Sequence, residues 1–94
     1  MRIDWLRRAR RNLQEEADYI AHDDPKAAAR VVMRIHDAVN LLIEQPNLGR
    51  SGRVPGIREL VVVGTPYIVP YRVRAQRIQI LRVFHARRRW PSSL

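Results

Sequence analysis

His85 stands among arginines: Arg82 precedes it, and Arg87, Arg88 and Arg89 follow it. A histidine titrates near neutral pH and can give or take a proton. Guanidinium forks match phosphate and carboxylate oxygens. The residue types at this end of the chain therefore suit the grip of an anionic group, with proton transfer open to His85. His85, Arg82 and Arg87 are the catalytic candidates. The alternative for His85 is a strand-end histidine that hydrogen-bonds the backbone. Arg50, Arg53 and Arg58 form a second candidate set for a phosphate or an acidic partner. Their alternative use is local, capping carbonyls of a preceding helix or pairing with Glu44 or Glu59. Trp90 either stacks on a base or folds back onto the helices as a packing anchor. Tyr67 and Tyr71 either support the core or stack on bases. His22 and His36 are isolated, and no two histidines have metal-ligand spacing, so neither a metal nor a cofactor is expected.

The charge is unevenly placed. Residues 1–45 carry eight cationic side chains against eight acids, whereas residues 46–94 carry ten arginines against one acid, Glu59. The formal charge of +9 therefore belongs to the second half. Such a field repels itself and draws polyanions or acidic proteins. The basic residues are seventeen arginines and Lys26. A GC-rich genome explains that ratio as well as function does, but it does not explain the placement.

Ninety-four residues suffice for one domain with a modest core, and an apolar fraction of 46% is too high for disorder. The chain lacks cysteine, which excludes disulfides and thiolate metal sites and fits a reducing, cytoplasmic setting. No apolar run approaches the length of a membrane span, and no secretory signal is apparent.

The elements that must position these residues follow from periodicity. Residues 1–5 suit an edge strand with Arg2 and Asp4 outward and Ile3 and Trp5 inward. Leu6, Ala9, Leu13, Ala17 and Ile20 recur at helical spacing, with Glu15 and Glu16 assigned to the outer face and Arg11 placed to pair with Glu15. Asp24 and Pro25 are an N-cap and first-turn pair. They open a second helix whose stripe is Ala28, Val31, Val32, Ile35, Ala38, Val39 and Leu42. Residues 47–56 read as a loop. Residues 57–63, 67–73 and 78–84 read as short strands joined by tight turns. Pro70 inside the second run implies an outward-facing position or a bulge. Along the last run, alternation places Ile78, Ile80, Arg82 and Phe84 on one face. That leaves Arg82 either partly open or buried with Glu15, Glu16 or Glu59. The expected fold is α+β, a single domain over residues 1–94 with a two-helix hairpin packed on a small antiparallel sheet.

Several fragments in this order resemble the RelE/ParE superfamily of bacterial toxins, closer to its ParE-like branch. They are the helix over residues 6–21, Asp24-Pro25, Leu48-Gly49-Arg50, Gly52-Arg53, Arg58-Glu59-Leu60, Pro66-Tyr67, Tyr71-Arg72-Val73 and Ile80-Leu81-Arg82-Val83-x-His85-x-x-Arg88-x-Trp90-Pro91. The resemblance implies the toxin of a type II toxin–antitoxin pair, a cytoplasmic growth inhibitor. It would be held in a hetero-oligomer by a cognate antitoxin whose C-terminal segment wraps it.

That superfamily has two chemistries. RelE-like members cut mRNA on the ribosome, and ParE-like members poison DNA gyrase. Metal-free RNA cleavage needs a base, an acid and cations around the phosphorane. Aligned on Tyr71-Arg72-Val73, the cationic positions of the RelE pattern fall near Glu59, Val61 and Ile68, none of them basic. The resemblance therefore favours gyrase, with mRNA cleavage as the alternative. Arg50, Arg53, Arg58, Arg82, His85, Arg87, Arg88 and Trp90 are then the expected target-binding set. A plain basic nucleic-acid-binding module is a third reading, without an RNP-like, helix-turn-helix or zinc signature to support it.

Overall fold

A computed structural model describes residues 1–88, 90 and 94. Arg89, named beside His85 above, and Pro91, the last residue of the fragments, lie outside the described residues. The chain runs β1 (Arg2–Trp5), α1 (Arg7–Asp23), α2 (Pro25–Asn40), a single 3-10 turn (Leu41–Ile43), β2 (Arg50–Ser51), β3 (Arg58–Val61), β4 (Tyr67–Arg74), β5 (Arg77–Ile80) and β6 (Phe84–His85).

The helical hairpin forms where the periodicity places it. The Asp24 carboxylate accepts a hydrogen bond from the Ala27 N–H at 3.1 Å, and Pro25 occupies the first turn. One side-chain cap and one missing N–H thus satisfy the start of α2. Ala9, Ile35, Val39 and Leu42 are fully buried against Leu60, Val62, Tyr67, Val69, Tyr71, Ile78, Ile80 and Val83 of the sheet region. The expected Arg11–Glu15 pair is not formed; on the same face Gln14 donates to Asp18 at 2.8 Å.

The expected α+β hairpin-on-sheet architecture is present, and the sheet is mixed rather than wholly antiparallel. Its order is β1-β5-β4-β3-β2, with β6 also on β4. The β1–β5 pair is parallel, Ile3 opposite Ile78 and Trp5 opposite Ile80. Parallel strands need a long crossover, and here residues 6–76, with both helices and β2 to β4, lie between the two. β2 arises within the stretch read as a loop, pairing Arg50 with Glu59 and Ser51 with Arg58.

Tyr71 locks this region to the end of the helical hairpin. Its hydroxyl donates to the Pro46 carbonyl and accepts from the Gly49 N–H, both at 2.8 Å. A Cβ on Gly49 would lie 2.6 Å from the buried Tyr71 ring, so this position has no room for a side chain.

Pro70 lies opposite a bulge, one of the two outcomes that its lack of an N–H implies. Tyr71 faces Ile80 and Ile68 faces Phe84, so Leu81, Arg82 and Val83 stand opposite only Val69 and Pro70. The extra residue breaks the alternation expected along residues 78–84. Val83 joins Ile78 and Ile80 in the core, while Phe84 lies opposite Ile68 on the face away from the helices.

The β4–β5 turn is built from Ala75 (φ 52°) and Gln76 (φ 65°), two non-glycine residues in the left-handed region. Such two-residue hairpins prefer Asn-Gly, because side chains with a Cβ resist positive φ. The double replacement Ala75→Asn, Gln76→Gly is expected to stabilise the chain by about 1–2 kcal/mol. Urea unfolding checks this as a higher midpoint at unchanged slope.

Candidate functional site

The bulge sets the C-terminal segment. The Asn12 side-chain oxygen on α1 accepts from Arg82 Nε at 2.8 Å and from the Val83 N–H at 3.2 Å. The acids expected to partner Arg82 do not do so: Glu16 and Glu59 are engaged elsewhere, and Glu15 acts only through its field. Burial holds the Arg82 guanidinium below the usual arginine range, and the charge of Arg8 adds to this. Arginine is nonetheless charged throughout the physiological range.

Arg82 also begins an alternating stack of cations and aromatic rings. Its Cζ lies 4.6 Å from the Phe84 ring centre, Phe84 lies 4.7 Å from Trp90 at 49°, and Arg53 Cζ lies 3.8 Å from Trp90. Guanidinium groups at these distances are attracted by the ring quadrupole. Trp90 is therefore not anchored on the helices as expected. The bulge turns Phe84 to the other face of the sheet, and Trp90 follows it there to pack under Arg53. Its Nε1 is buried without a hydrogen-bond partner among the described residues.

A second cluster lies beside this stack. Glu16, placed on the outer face by sequence, is buried at 8% exposure. Its carboxylate accepts from the Tyr67 hydroxyl at 3.0 Å and pairs with Arg88. Burial, and then the bond to Glu16, push the Tyr67 phenol up to about 12. Tyr67 and His85 meet edge-on at 5.7 Å. His85 Nδ1 accepts the Arg87 N–H at 3.2 Å, which leaves the ring proton on Nε2 when the imidazole is neutral. The backbone-bonded alternative for this histidine thus has a geometric basis. Arg88 Cζ lies 6.0 Å from the Tyr19 ring.

Glu59 organises the third group. It is 4% exposed, accepting from Arg50 Nη2 at 3.3 Å and from the Arg53 N–H at 2.9 Å, with Arg53 Nε at 3.9 Å. Arg50 and Arg53 keep more than half of their side-chain surface open. Arg58 has a different job: it donates to the carbonyls of Gly49 at 2.7 Å and Asn47 at 3.4 Å, clasping the loop after the 3-10 turn.

The structure therefore brings together Arg53, Arg82 and Trp90 through Phe84, and His85 with Arg88 through Tyr67 and Glu16. Arg50 joins the first set only through Glu59, Arg87 is exposed, and Arg58 is spent on the loop. At the three positions where a nuclease would hold cations, Glu59 is buried, Val61 is 45% exposed, and Ile68 is buried.

A groove of about 780 Å³ opens between α2 and β3 and reaches Arg50 and Glu59 of the third group. Met33, Leu41, Leu48, Val61 and Val63 leave large apolar surfaces open along it. β2 covers β3 only at Arg58 and Glu59, so the outer backbone edge beyond Glu59 is unpaired among the described residues. Arg30, Arg34 and Arg50 rim this groove.

The family described as "ParE toxin of type II toxin-antitoxin system, parDE" matches residues 3–90. The chain belongs to this ParE toxin family. It is similar to Y4kP of Sinorhizobium fredii, 52% identical over 93 residues that cover 99% of this chain and 96% of that one. It is also similar to toxin RelE2 of Caulobacter vibrioides, 39% identical over 84 residues, 89% of this chain and 93% of the relative. Among solved structures, a chain of the chromosomal ParDE toxin–antitoxin system of P. aeruginosa superposes with a TM-score of 0.81 at 33% identity, covering 90% of this chain and 95% of that one. The protein is a ParE-type toxin of a type II toxin–antitoxin system.

Two residues of this toxin's C-terminal architecture escape a sequence reading. Asn12 flanks the apolar stripe and gives no signal of its own. Glu16 did carry one: Ala9, Leu13, Glu16 and Ile20 follow helical spacing, so a carboxylate sits in line with the buried stripe.

Proposed function

We propose that this toxin arrests growth in the cytoplasm by poisoning DNA gyrase, and that it does so without cutting RNA. The observation that carries this reading is the state of the nuclease positions. Glu59 is acidic, buried and neutralised by Arg50 and Arg53; Val61 and Ile68 are apolar. Stabilising a phosphorane calls for preorganised cations around it, and these three positions supply none. The target-facing surface is the stack of Arg53, Trp90 and Arg82 with Arg50, His85, Arg87 and Arg88. Arg58 contributes indirectly, through the loop. The mRNA-cutting alternative would rest on His85 Nε2 and the neighbouring, exposed Arg87.

The same reading assigns the groove between α2 and β3 to the antitoxin. An amphipathic antitoxin segment places apolar side chains over Met33, Leu41 and Val61 and carboxylates toward Arg30 and Arg34, and it reaches Arg50, where the groove meets the target-facing surface. Met33→Asp with Val61→Asp is expected to weaken antitoxin binding by about 100-fold, as loss of central apolar anchors does. Growth arrest should persist and become resistant to antitoxin. Association should slow as salt rises, because exposed charges are screened. Arrest assays with and without co-expressed antitoxin, together with association rates across a salt series, test this. Loss of arrest in the folded groove variant, or rates indifferent to salt, would contradict the assignment.

A further inference from the structure

The β4–β5 hairpin tip carries two local costs at once. Arg74 and Arg77 stand directly opposite each other, and Arg77 stands directly opposite Arg2 on β1. Directly paired residues share a face, so three arginines form one row across three strands. Strands lie about 4.8 Å apart, which crowds like charges that oppose the pairing. The next row on that face holds Asp4, Gln79 and Arg72, with Arg72 Nε bonded to Gln79 at 2.6 Å. Arg2, Arg74 and Arg77 are exposed and take part in none of the described ion pairs. The turn joining Arg74 to Arg77 holds Ala75 and Gln76 at positive φ. Neither the core nor the antitoxin groove needs this arrangement: the core stripe of these strands is Ile3, Ile78 and Tyr71, and the groove lies beyond β3. Backbone strain together with aligned like charge marks a site kept for something other than stability.

We propose that Arg2, Arg74, Arg77 and Arg72 form a docking strip for the phosphate backbone of a double-stranded nucleic acid. Guanidinium groups are the side chains that best match phosphate. An extended row with a single acid, Asp4, beside it is the electrostatic footprint of backbone contact. The double helix is favoured over a single strand by what the strip lacks. Single-strand sites interleave cations with aromatic platforms, and no aromatic side chain occupies either row. Phe84 and Trp90 share the face but are engaged by Arg82 and Arg53. The strip lies outside the proposed toxic set and does not depend on which target that set poisons.

The test is fluorescence anisotropy of the full chain with three probes over a salt series: a short duplex DNA, an RNA duplex and a poly-glutamate peptide. The variants are the triple Arg2→Gln, Arg74→Gln, Arg77→Gln, and a charge-matched control on α1, Arg7→Gln, Arg10→Gln, Arg11→Gln. The strip variant should unfold at the same temperature as the parent or higher, because crowded like charges are gone. It should bind duplex more weakly, with a log–log salt slope shallower by about 0.9 for each phosphate that is no longer neutralised. The control should retain the parental slope. The two duplex arms tell a DNA backbone from an RNA one. Equal slope losses in the strip variant and the control would reduce the effect to net charge and overturn the proposal. So would a parental slope in the strip variant, or a strip-dependent loss for the peptide alone, which would assign the row to an acidic protein.

Discussion

Glu16→Ala is expected to destabilise the toxin by about 2 kcal/mol, the scale of leaving one buried hydrogen-bonding group without its partner; Arg88 is 53% exposed, so its ion pair adds little. The substitution leaves the buried Tyr67 hydroxyl without its acceptor and the Arg88 guanidinium without its counter-charge. Glu16→Gln keeps an acceptor for Tyr67 and should cost about 1 kcal/mol, near the value of one hydrogen bond. A urea-unfolding cycle with Arg88→Ala isolates the coupling, and a coupling near zero would mean that the Glu16–Arg88 pair contributes nothing. Burial and the bond to Glu16 also set a pH dependence through Tyr67. The Tyr67 phenol is ordinary when unfolded and raised to about 12 when folded. Its contribution is therefore fully present below pH 10. Between pH 10 and about 12 the unfolded chain loses this proton while the folded chain keeps it, so stability falls as pH rises. In Glu16→Gln that window narrows, because burial continues to raise the phenol but the carboxylate no longer does. An unchanged tyrosine titration in that variant would contradict the assigned cause.

Trp90→Ala is expected to have the largest effect on toxicity. The indole is held between Phe84 and the Arg53 guanidinium, and through them it links the loop after β2 to the C-terminal segment that carries Arg82. Its removal leaves Arg53 and Arg82 without a shared platform. If this surface meets the target, binding should weaken by about 30-fold or more, the loss of one anchoring aromatic. Antitoxin affinity should hold within about twofold, since neither Trp90 nor Phe84 lines the antitoxin groove. Trp90→Phe should restore much of the toxicity by keeping a ring for Arg53. Full growth arrest by a folded Trp90→Ala chain would remove the stack from the toxic surface.

Much of the scaffold was legible because its signals are local. The stripes from Leu6 to Ile20 and from Ala28 to Leu42, and the Asp24-Pro25 cap, specify the helical hairpin without reference to anything distant. Pro70 announced a bulge or an outward-facing position, because a missing N–H has few places to go. What escaped was set by long-range partners. The parallel seat of β1 on β5 joins segments separated by two helices and three other strands. β2 exists because Arg50 and Ser51 find β3, not because two residues have strand propensity. The side on which Trp90 packs follows from the bulge, which shifts every later residue by one and turns Phe84 from the expected face to the other. The partners of Arg82 and Arg88 on α1 lie about 70 positions away in the chain. Of the candidate site, the residue types and their C-terminal clustering were readable. Their division of labour was not: Arg58 is spent on loop carbonyls, and Glu59 takes up part of the charge of Arg50 and Arg53.

The most direct measurement places the purified toxin in two assays side by side. One is gyrase supercoiling with detection of trapped cleavage complexes; the other is translation on programmed ribosomes with primer extension of the mRNA. A gyrase poison with the apolar and acidic residues seen at Val61, Ile68 and Glu59 should block supercoiling, trap cleaved DNA and leave the mRNA intact. Cleavage of mRNA in the ribosomal A site with normal gyrase activity would contradict the gyrase reading and make His85, Arg82 and Arg87 catalytic candidates again.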